Sequence, residues 1–444
     1  MNSPSPHTVV IGAGFTGLTA ALELAREGHR VTVIDGDDSV GGLAGSFETG
    51  TGQRLEKFYH HWFTNDQYVI DLVKELGTES EVVHRPTRTG SYYANTIFRL
   101  SKPLDVLRYT PLSPIGRIRL GLLVLQARVV RDWKALENET AANWLQRLCG
   151  REVYEKVWKP LLIGKFGQYY DEISAVWFWN KLTLRGGSRG KGGAEVLAYY
   201  RGGFAALADT MAEAFERAGG RIRLGCPATG LVVSDGHVRG VETPEGMIEA
   251  DRVIVTTALP IFADLVAPHA EPAYVARLRE VGYIGNVCLT LELDRSLSDT
   301  YWLNIADPDF PFVGIIEHTN FEPTESYGGR HIVYMSKYLP TDAELYRMSD
   351  DDVLDFALPY ITKMFPEFDR SWVLAHHTYR APYSQPLVTR HYSRRIPDSR
   401  TPVEQLYLAT MAQIYPEDRG TNYAIREGKK IAQLVLEDAA VAAQ

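Results

Sequence analysis

Gly12-Ala13-Gly14-Phe15-Thr16-Gly17 is a glycine turn of the kind that lets backbone amides approach a pyrophosphate, and its context decides what it can do. The apolar, β-rich run Thr8-Val9-Val10-Ile11 leads into it, and Leu18, Ala21, Leu22 and Ala25 recur after it at helical spacing. In the order strand, GxGxxG, helix, Gly12 permits the tight turn and Gly14 leaves no Cβ between backbone and pyrophosphate. Gly17 lets helix and strand pack closely, with the anion on the helix N-terminus. Gly28-His29 ends the helix, Val31-Thr32-Val33-Ile34 forms the next strand, and Asp35 closes it where a carboxylate accepts hydrogen bonds from adenosine ribose hydroxyls. A glycine turn alone also arises for packing; with both strands and the acidic residue in register, the stretch is a dinucleotide site.

Two other stretches carry reactive side chains. Glu56-Lys57-Phe58-Tyr59-His60-His61-Trp62-Phe63-Thr64-Asn65-Asp66 crowds aromatics and histidines together. Adjacent His60 and His61 would face opposite sides of a strand, and no Cys or carboxylate cluster completes a metal site, so no metal is expected. An aromatic core wall and a cofactor lining both stay open here. Tyr379-Arg380-Ala381-Pro382-Tyr383, followed by Arg390, Arg394 and Arg395, sets aromatics among cations whose forks match carboxylate and phosphate; Arg380 and Tyr383 are candidates to reach the reacting groups. Gly186-Gly187-Ser188-Arg189-Gly190 matches the GxSxG pattern but lacks the strand before and helix after it, and Lys191 lacks a P-loop context; a basic loop is expected.

The elements that position these residues follow in order. Helical patterns run from Ile115 to Arg131, Ala141 to Cys149 and Glu152 to Leu162, and Gly202-Gly203-Phe204 opens another helix. Arg221 to Leu224, a hairpin through Asp235-Gly236, and Ala250 to Ala258 return to strands. Further strands are expected at Ile284–Leu293, Phe312–Glu317, His331–Lys337 and Trp372–His377, with a helix at Asp350–Phe365, and a strand, loop and helix start at Leu406–Gly428.

Gly41-Gly42, shortly after Asp35, adds a second glycine pair, and at these residues the chain resembles the flavin amine oxidase superfamily. That group includes monoamine and polyamine oxidases, protoporphyrinogen oxidases, carotenoid desaturases and UDP-galactopyranose mutases. The resemblance implies FAD, with Gly41, Gly42, Leu43 and Ala44 again near its pyrophosphate, and Ala228 and Thr257 in the middle segment of its site. Gly420, Thr421 and Asn422 would supply the helix N-terminus that faces the flavin pyrimidine. Asp35 replaces the usual Glu, Ser39 the frequent Arg, and Thr410-Met411 the usual Gly-Asp. His61-Trp62-Phe63-Thr64-Asn65 is similar to a flavin-lining run of the mutases, which implies His61 near the isoalloxazine ring. Trp158 to Leu162 and Ile173 to Trp179 are similar to the cavity roof of the protoporphyrinogen oxidase branch.

The implied fold is α/β: a Rossmann-like FAD domain of the glutathione-reductase type, a mixed-sheet substrate domain and a helical insertion. The FAD domain would comprise 1–90, 196–265 and 401–444, the helical subdomain 91–195 and the sheet domain 266–400. The implied activity is hydride transfer from a small-molecule, largely apolar or anionic organic substrate to flavin N5. The alternative is a sugar-nucleotide mutase using reduced FAD without net redox. No lysine can be matched to the one that amine oxidases hold near N5, and FAD should be non-covalent, since no Cys lies in the C-terminal flavin loop.

Composition agrees with this reading. Over 444 residues, 45% hydrophobic and 23% charged describe an ordinary globular chain of two domains, and a net charge of −8 without a basic tail argues against nucleic acid. Cys149, Cys226 and Cys288 lie too far apart for a disulfide framework or CxxC motif, which fits a reducing cytoplasm. No signal peptide and no membrane-spanning run is read. The arginine-flanked Leu120–Val130 helix fits either buried core or peripheral membrane contact, because both demand an apolar face, and a homodimer stays open.

Overall fold

The computed structural model describes residues 6–99, 103–185 and 195–442. The glycine turn joins strand β1 (His7–Ile11) to helix α1 (Phe15–Arg26), and strand β2 (Arg30–Ile34) follows. Both strands belong to a five-stranded parallel sheet in the order Arg221–Arg223, β2, β1, Arg252–Val255, Leu406–Leu408. Three separate stretches of chain therefore build one sheet. Parallel sheets need cover on both faces, and the alternation of the strands divides accordingly. Val10, Val33, Ile254 and Tyr407 join a core with α1, Gly203–Arg217 and Thr421–Ala442, whereas Val9, Ile11, Ile34, Val253 and Val255 join another that includes Leu231, Val238 and Leu259.

A seven-stranded mixed sheet forms the second layer, in the order Val373–Pro386, Tyr283–Leu293, His331–Leu339, Gly314–Glu317, Trp302–Ile305, Thr89–Tyr93, Thr96–Arg99. Residues 91–99, which the implied domain bounds assign to the helical subdomain, lie in strands of this sheet and the turn joining them. One sheet face, through Val287, Leu289, Leu291, Val333 and Met335, packs against Val353, Leu354, Ala357 and Ile361 of the helix Asp350–Met364. The opposite face presents Asn286, Cys288, Thr290, Tyr334, Ser336 and Tyr338, set by the pairs Asn286↔Tyr338, Cys288↔Ser336 and Thr290↔Tyr334.

The helical insertion comprises Pro114–Val129, Ala141–Val153, Lys159–Phe166 and Ala175–Arg185. Ser113 caps the first, accepting from Gly116 N ahead of Pro114, and Thr140 caps the second through Asn143 N. The helix Pro114–Val129 is two-faced. Leu120, Leu123 and Ala127 are buried, while Ile115, Ile118, Leu122, Leu125 and Val129 stand exposed. Among the described residues no helix is long and apolar enough to cross a membrane. The GxSxG stretch 186–190 and Lys191 lie outside the described residues.

Candidate functional site

Gly12 has φ +112°, a backbone conformation that suits glycine, and a Cβ there would collide with Thr256 Oγ1. Gly17 is fixed by contact, since its Cβ would run into the Gly12 carbonyl. Gly14 differs from both: its backbone is ordinary extended (φ −75°, ψ 177°) and nothing stands within 4 Å of the Cβ position. It is the N-cap of α1 and makes no side-chain cap, so the amide end of the helix opens onto unfilled space. The Gly41 N–H donates to Ala13 O at 2.9 Å, and a Cβ on Gly42 would lie 3.3 Å from Gly14 Cα. Leu43 is half-buried and Ala44 buried in the short turn that follows. The two glycine stretches, distant in sequence, thus form one small-residue cradle at the head of α1.

Asp35 accepts from Ala13 N at 2.6 Å through one carboxylate oxygen and from Asp37 N at 2.9 Å through the other. Burial pushes its pKa up, against those two backbone donors. The carboxylate holds the glycine turn in shape, and each oxygen keeps a lone pair for a ribose hydroxyl. Ala228 is half-buried beside the Cys226 N–H bond to Asp35 O. Thr257, just past the strand Arg252–Val255, buries a hydroxyl with no protein partner. An open helix end, a cradle that a Cβ would fill and an orphaned hydroxyl beside it are what a dinucleotide pyrophosphate requires, so the residues present fit FAD.

At the other end of the site, Thr421 Oγ1 accepts from Trp62 Nε1 at 2.8 Å, and Asn422 Oδ1 accepts from Val69 N at 3.1 Å. The two side chains tie the start of the last helix to the aromatic stretch and to the helix Gln67–Glu75 that follows it, so what Gly420, Thr421 and Asn422 offer outward is backbone. His61 Nδ1 bonds Tyr301 Oη at 3.0 Å and lies edge-on to Phe63 and Trp302, while His60 stacks on Phe204. Burial lowers the His60 pKa to about 4, helped by Arg419.

Arg380 does not reach the same place. The strand expected to end at His377 continues through Pro386, and its register pairs Arg380 with Val287, on the face covered by the helix Asp350–Met364. Its guanidinium donates to Tyr346 O at 2.9 Å, Met348 O at 2.5 Å and Asp350 Oδ1 at 3.2 Å, clamping the loop before that helix. Tyr383 follows a break in the register and packs edge-on against Tyr283, whose hydroxyl accepts from Leu259 N at 3.3 Å. Arg390 and Arg394 are exposed.

Sequence reasoning missed a polar cluster built from five elements. Lys181 pairs with Asp418 at 2.6 Å, Gln385 Nε2 donates to Asp418 at 3.1 Å, Arg419 Nη2 donates to Tyr338 Oη at 3.3 Å, and the Lys165 ammonium lies 3.8 Å from the Tyr338 ring centroid. Burial opposes ionisation of Asp418, yet Lys181, Lys165 and Arg419 outweigh it and hold its pKa well below the usual carboxylate range. The one signal in the sequence was Asp418-Arg419 directly before Gly420.

The parallel sheet, the glycine cradle and the inserted second sheet define an α/β protein of the dinucleotide-binding class. The chain matches the flavin-containing amine oxidoreductases over residues 15–436 and belongs to that family, which makes it an FAD-dependent oxidoreductase. It is 24% identical to the zeta-carotene desaturase of Arabidopsis thaliana over 463 residues, covering 91% of this chain and 81% of that one. A protoporphyrinogen-oxidase-like protein of Exiguobacterium sp. 255-15 superposes with TM-score 0.77 at 18% identity, covering 98% and 99% of the two chains. Reduced UDP-galactopyranose mutase superposes with TM-score 0.76 at 14% identity, covering 98% and 96%.

Proposed function

We propose that the protein oxidises an organic substrate by dehydrogenation or desaturation, with the substrate held between the helical insertion and the sheet face that carries Tyr338. The observation that carries this reading is the cluster Lys165, Lys181, Tyr338, Asp418 and Arg419: it joins the insertion and the sheet to the loop that opens the last helix. FAD, when bound, supplies a two-electron acceptor. The chain's own part is positional. Gly14 and the amide end of α1 hold the diphosphate, Asp35 the ribose, and Thr257 a further polar atom. Trp177, Phe178 and Phe166 from the insertion exclude water, and Trp302, Tyr301 and Phe63 hold His61 in place. The relatedness to zeta-carotene desaturase supports desaturation or dehydrogenation ahead of amine oxidation.

The test is an anaerobic screen of polyprenol, porphyrinogen, amine and UDP-sugar candidates. Loss of the yellow absorbance on adding one of the first three supports the proposal. Turnover of a UDP-sugar only after dithionite reduction, with the flavin still reduced afterwards, would replace it with the mutase reading.

We also propose that the exposed stripe Ile115, Ile118, Leu122, Leu125 and Val129 lies on anionic lipid. Arg119 and Arg128 of that helix, and Arg131 just beyond it, are exposed, and the helix carries no acidic residue, so its charge complements lipid phosphates although the whole chain is acidic.

A further inference from the structure

Lys165 sits on the helix Lys159–Phe166, Lys181 on Ala175–Arg185, Tyr338 on the strand His331–Leu339, and Asp418-Arg419 in the loop before Gly420. Lys181 and Asp418 satisfy one another. That leaves Lys165 over the ring and Arg419 at the hydroxyl of one phenol, and among the described residues neither lies within ion-pair distance of a carboxylate. Arg419 Nε is buried without an acceptor, and so is Trp177 Nε1, whose ring lies 5.6 Å from the Lys181 ammonium. Two half-buried cations share the field of one carboxylate, Asp418, which is already bonded to Lys181 and Gln385, and they lie next to donors without acceptors; the arrangement is incomplete, because charge taken out of water must be matched by charge and hydrogen bonds. An oxyanion supplies both. A guanidinium fork and an ammonium suit a carboxylate or a phosphate equally.

We propose that Lys165 and Arg419 grip, across Tyr338, a carboxylate or phosphate group of the substrate, so that the substrate is an organic acid or a phosphate ester anchored beside Gly420 and Thr421. The proposal rests on the reading that substrate meets cofactor at this junction. It also moves the anionic anchor away from the arginines between 380 and 395, where Arg380 is taken up by its own loop and Arg390 and Arg394 face solvent.

Tyr338 reports on the grip. Burial would raise its pKa, but Lys165 and Arg419 outweigh burial and hold it below the ordinary phenol value, while neighbouring Tyr59 is pushed well above it, by burial first and by Tyr338 second. An anion seated between the two cations competes with the phenolate and returns the Tyr338 titration upward.

The experiment is an ultraviolet tyrosinate titration of the oxidised holoprotein, with and without inorganic pyrophosphate, and with citrate as the carboxylate probe. One tyrosine should ionise early, vanish in Tyr338→Phe and shift to higher pH with either probe. The tighter of the two names the group. Lys165→Met and Arg419→Lys should each weaken probe binding about tenfold or more, the first by losing charge and the second by losing the fork. Arg394→Met, at an exposed arginine, should bind as the parent does. Equal probe affinity in parent, Lys165→Met and Arg419→Lys, all with flavin retained, overturns the proposal, as does a titration that neither probe moves. Substrate bleaching is scored separately: bleaching without an anion effect removes the subsite and keeps the oxidoreductase, and an anion effect without bleaching by any candidate removes the substrate reading on which the subsite rests.

Discussion

Gly14→Val and Gly17→Ala, two substitutions three residues apart, should fail in opposite ways. At Gly14 the backbone already has dihedrals any residue adopts, and an added Cβ meets nothing within 4 Å, so the flavin-free fold should keep its stability to within about 0.5 kcal/mol. The same side chain fills the space at the α1 amide end that a diphosphate needs. Overpacking costs roughly 1–3 kcal/mol, and one charge-assisted hydrogen bond lost costs about 1.5–3 more. Taking about 3 kcal/mol in total, FAD affinity should fall more than a hundredfold. At Gly17 the collision is with the Gly12 carbonyl inside the protein, so even alanine should lower the thermal midpoint of the flavin-free form. The assay is FAD titration of the deflavinated variants beside thermal melts with and without FAD. A Gly14→Val protein that purifies with a full complement of flavin, or whose flavin-free form melts as early as Gly17→Ala, would refute the reasoning.

Further expectations follow from single residues. His318 is buried with its pKa lowered to about 3 by burial, so folding requires it neutral: its contribution is complete above the unfolded value of 6.5 and is lost as pH falls toward 3, about 2 kcal/mol at pH 5. His318→Gln should flatten that acid limb in denaturant melts recorded against pH. Lys181→Met leaves Asp418 buried without its closest cation and should cost about 2 kcal/mol, discounted because Lys181 is 38% exposed, with partial recovery in Lys181→Met/Asp418→Asn. Leu122→Asp with Leu125→Asp should release the protein from anionic liposomes with its melting temperature unchanged, whereas Leu123→Asp, at a fully buried site, should cost about 4 kcal/mol and unfold it. Acid precipitation should leave FAD in the supernatant; flavin in the pellet would show a covalent link.

The cofactor cradle was legible because its signal is local: turn, helix and strand follow one another within a few tens of residues, although the contact that fixes Gly12 comes from distant Thr256. Arg380 was not, because its role depends on register. Moving one residue along a strand changes the sheet face, and the strand runs on past His377, where its sequence pattern ends, to Pro386. The helix at Leu120–Val130 gave an ambiguous pattern for a related reason. Leu122 and Leu123 are the same residue type on different sides of one helix, and composition carries no record of which side the insertion covers. Lys165, Lys181, Tyr338 and Arg419 come from four elements distant in sequence, and no periodicity links them.

The central claim, that oxidised flavin takes two electrons from an organic substrate, is tested most directly by anaerobic titration of the holoprotein with the substrate that the screen identifies, following flavin absorbance and product mass together. The account predicts bleaching that ends at one substrate per flavin and a product two hydrogens lighter than the substrate. A product isomeric with its substrate, formed only by pre-reduced protein whose flavin remains reduced, would contradict it.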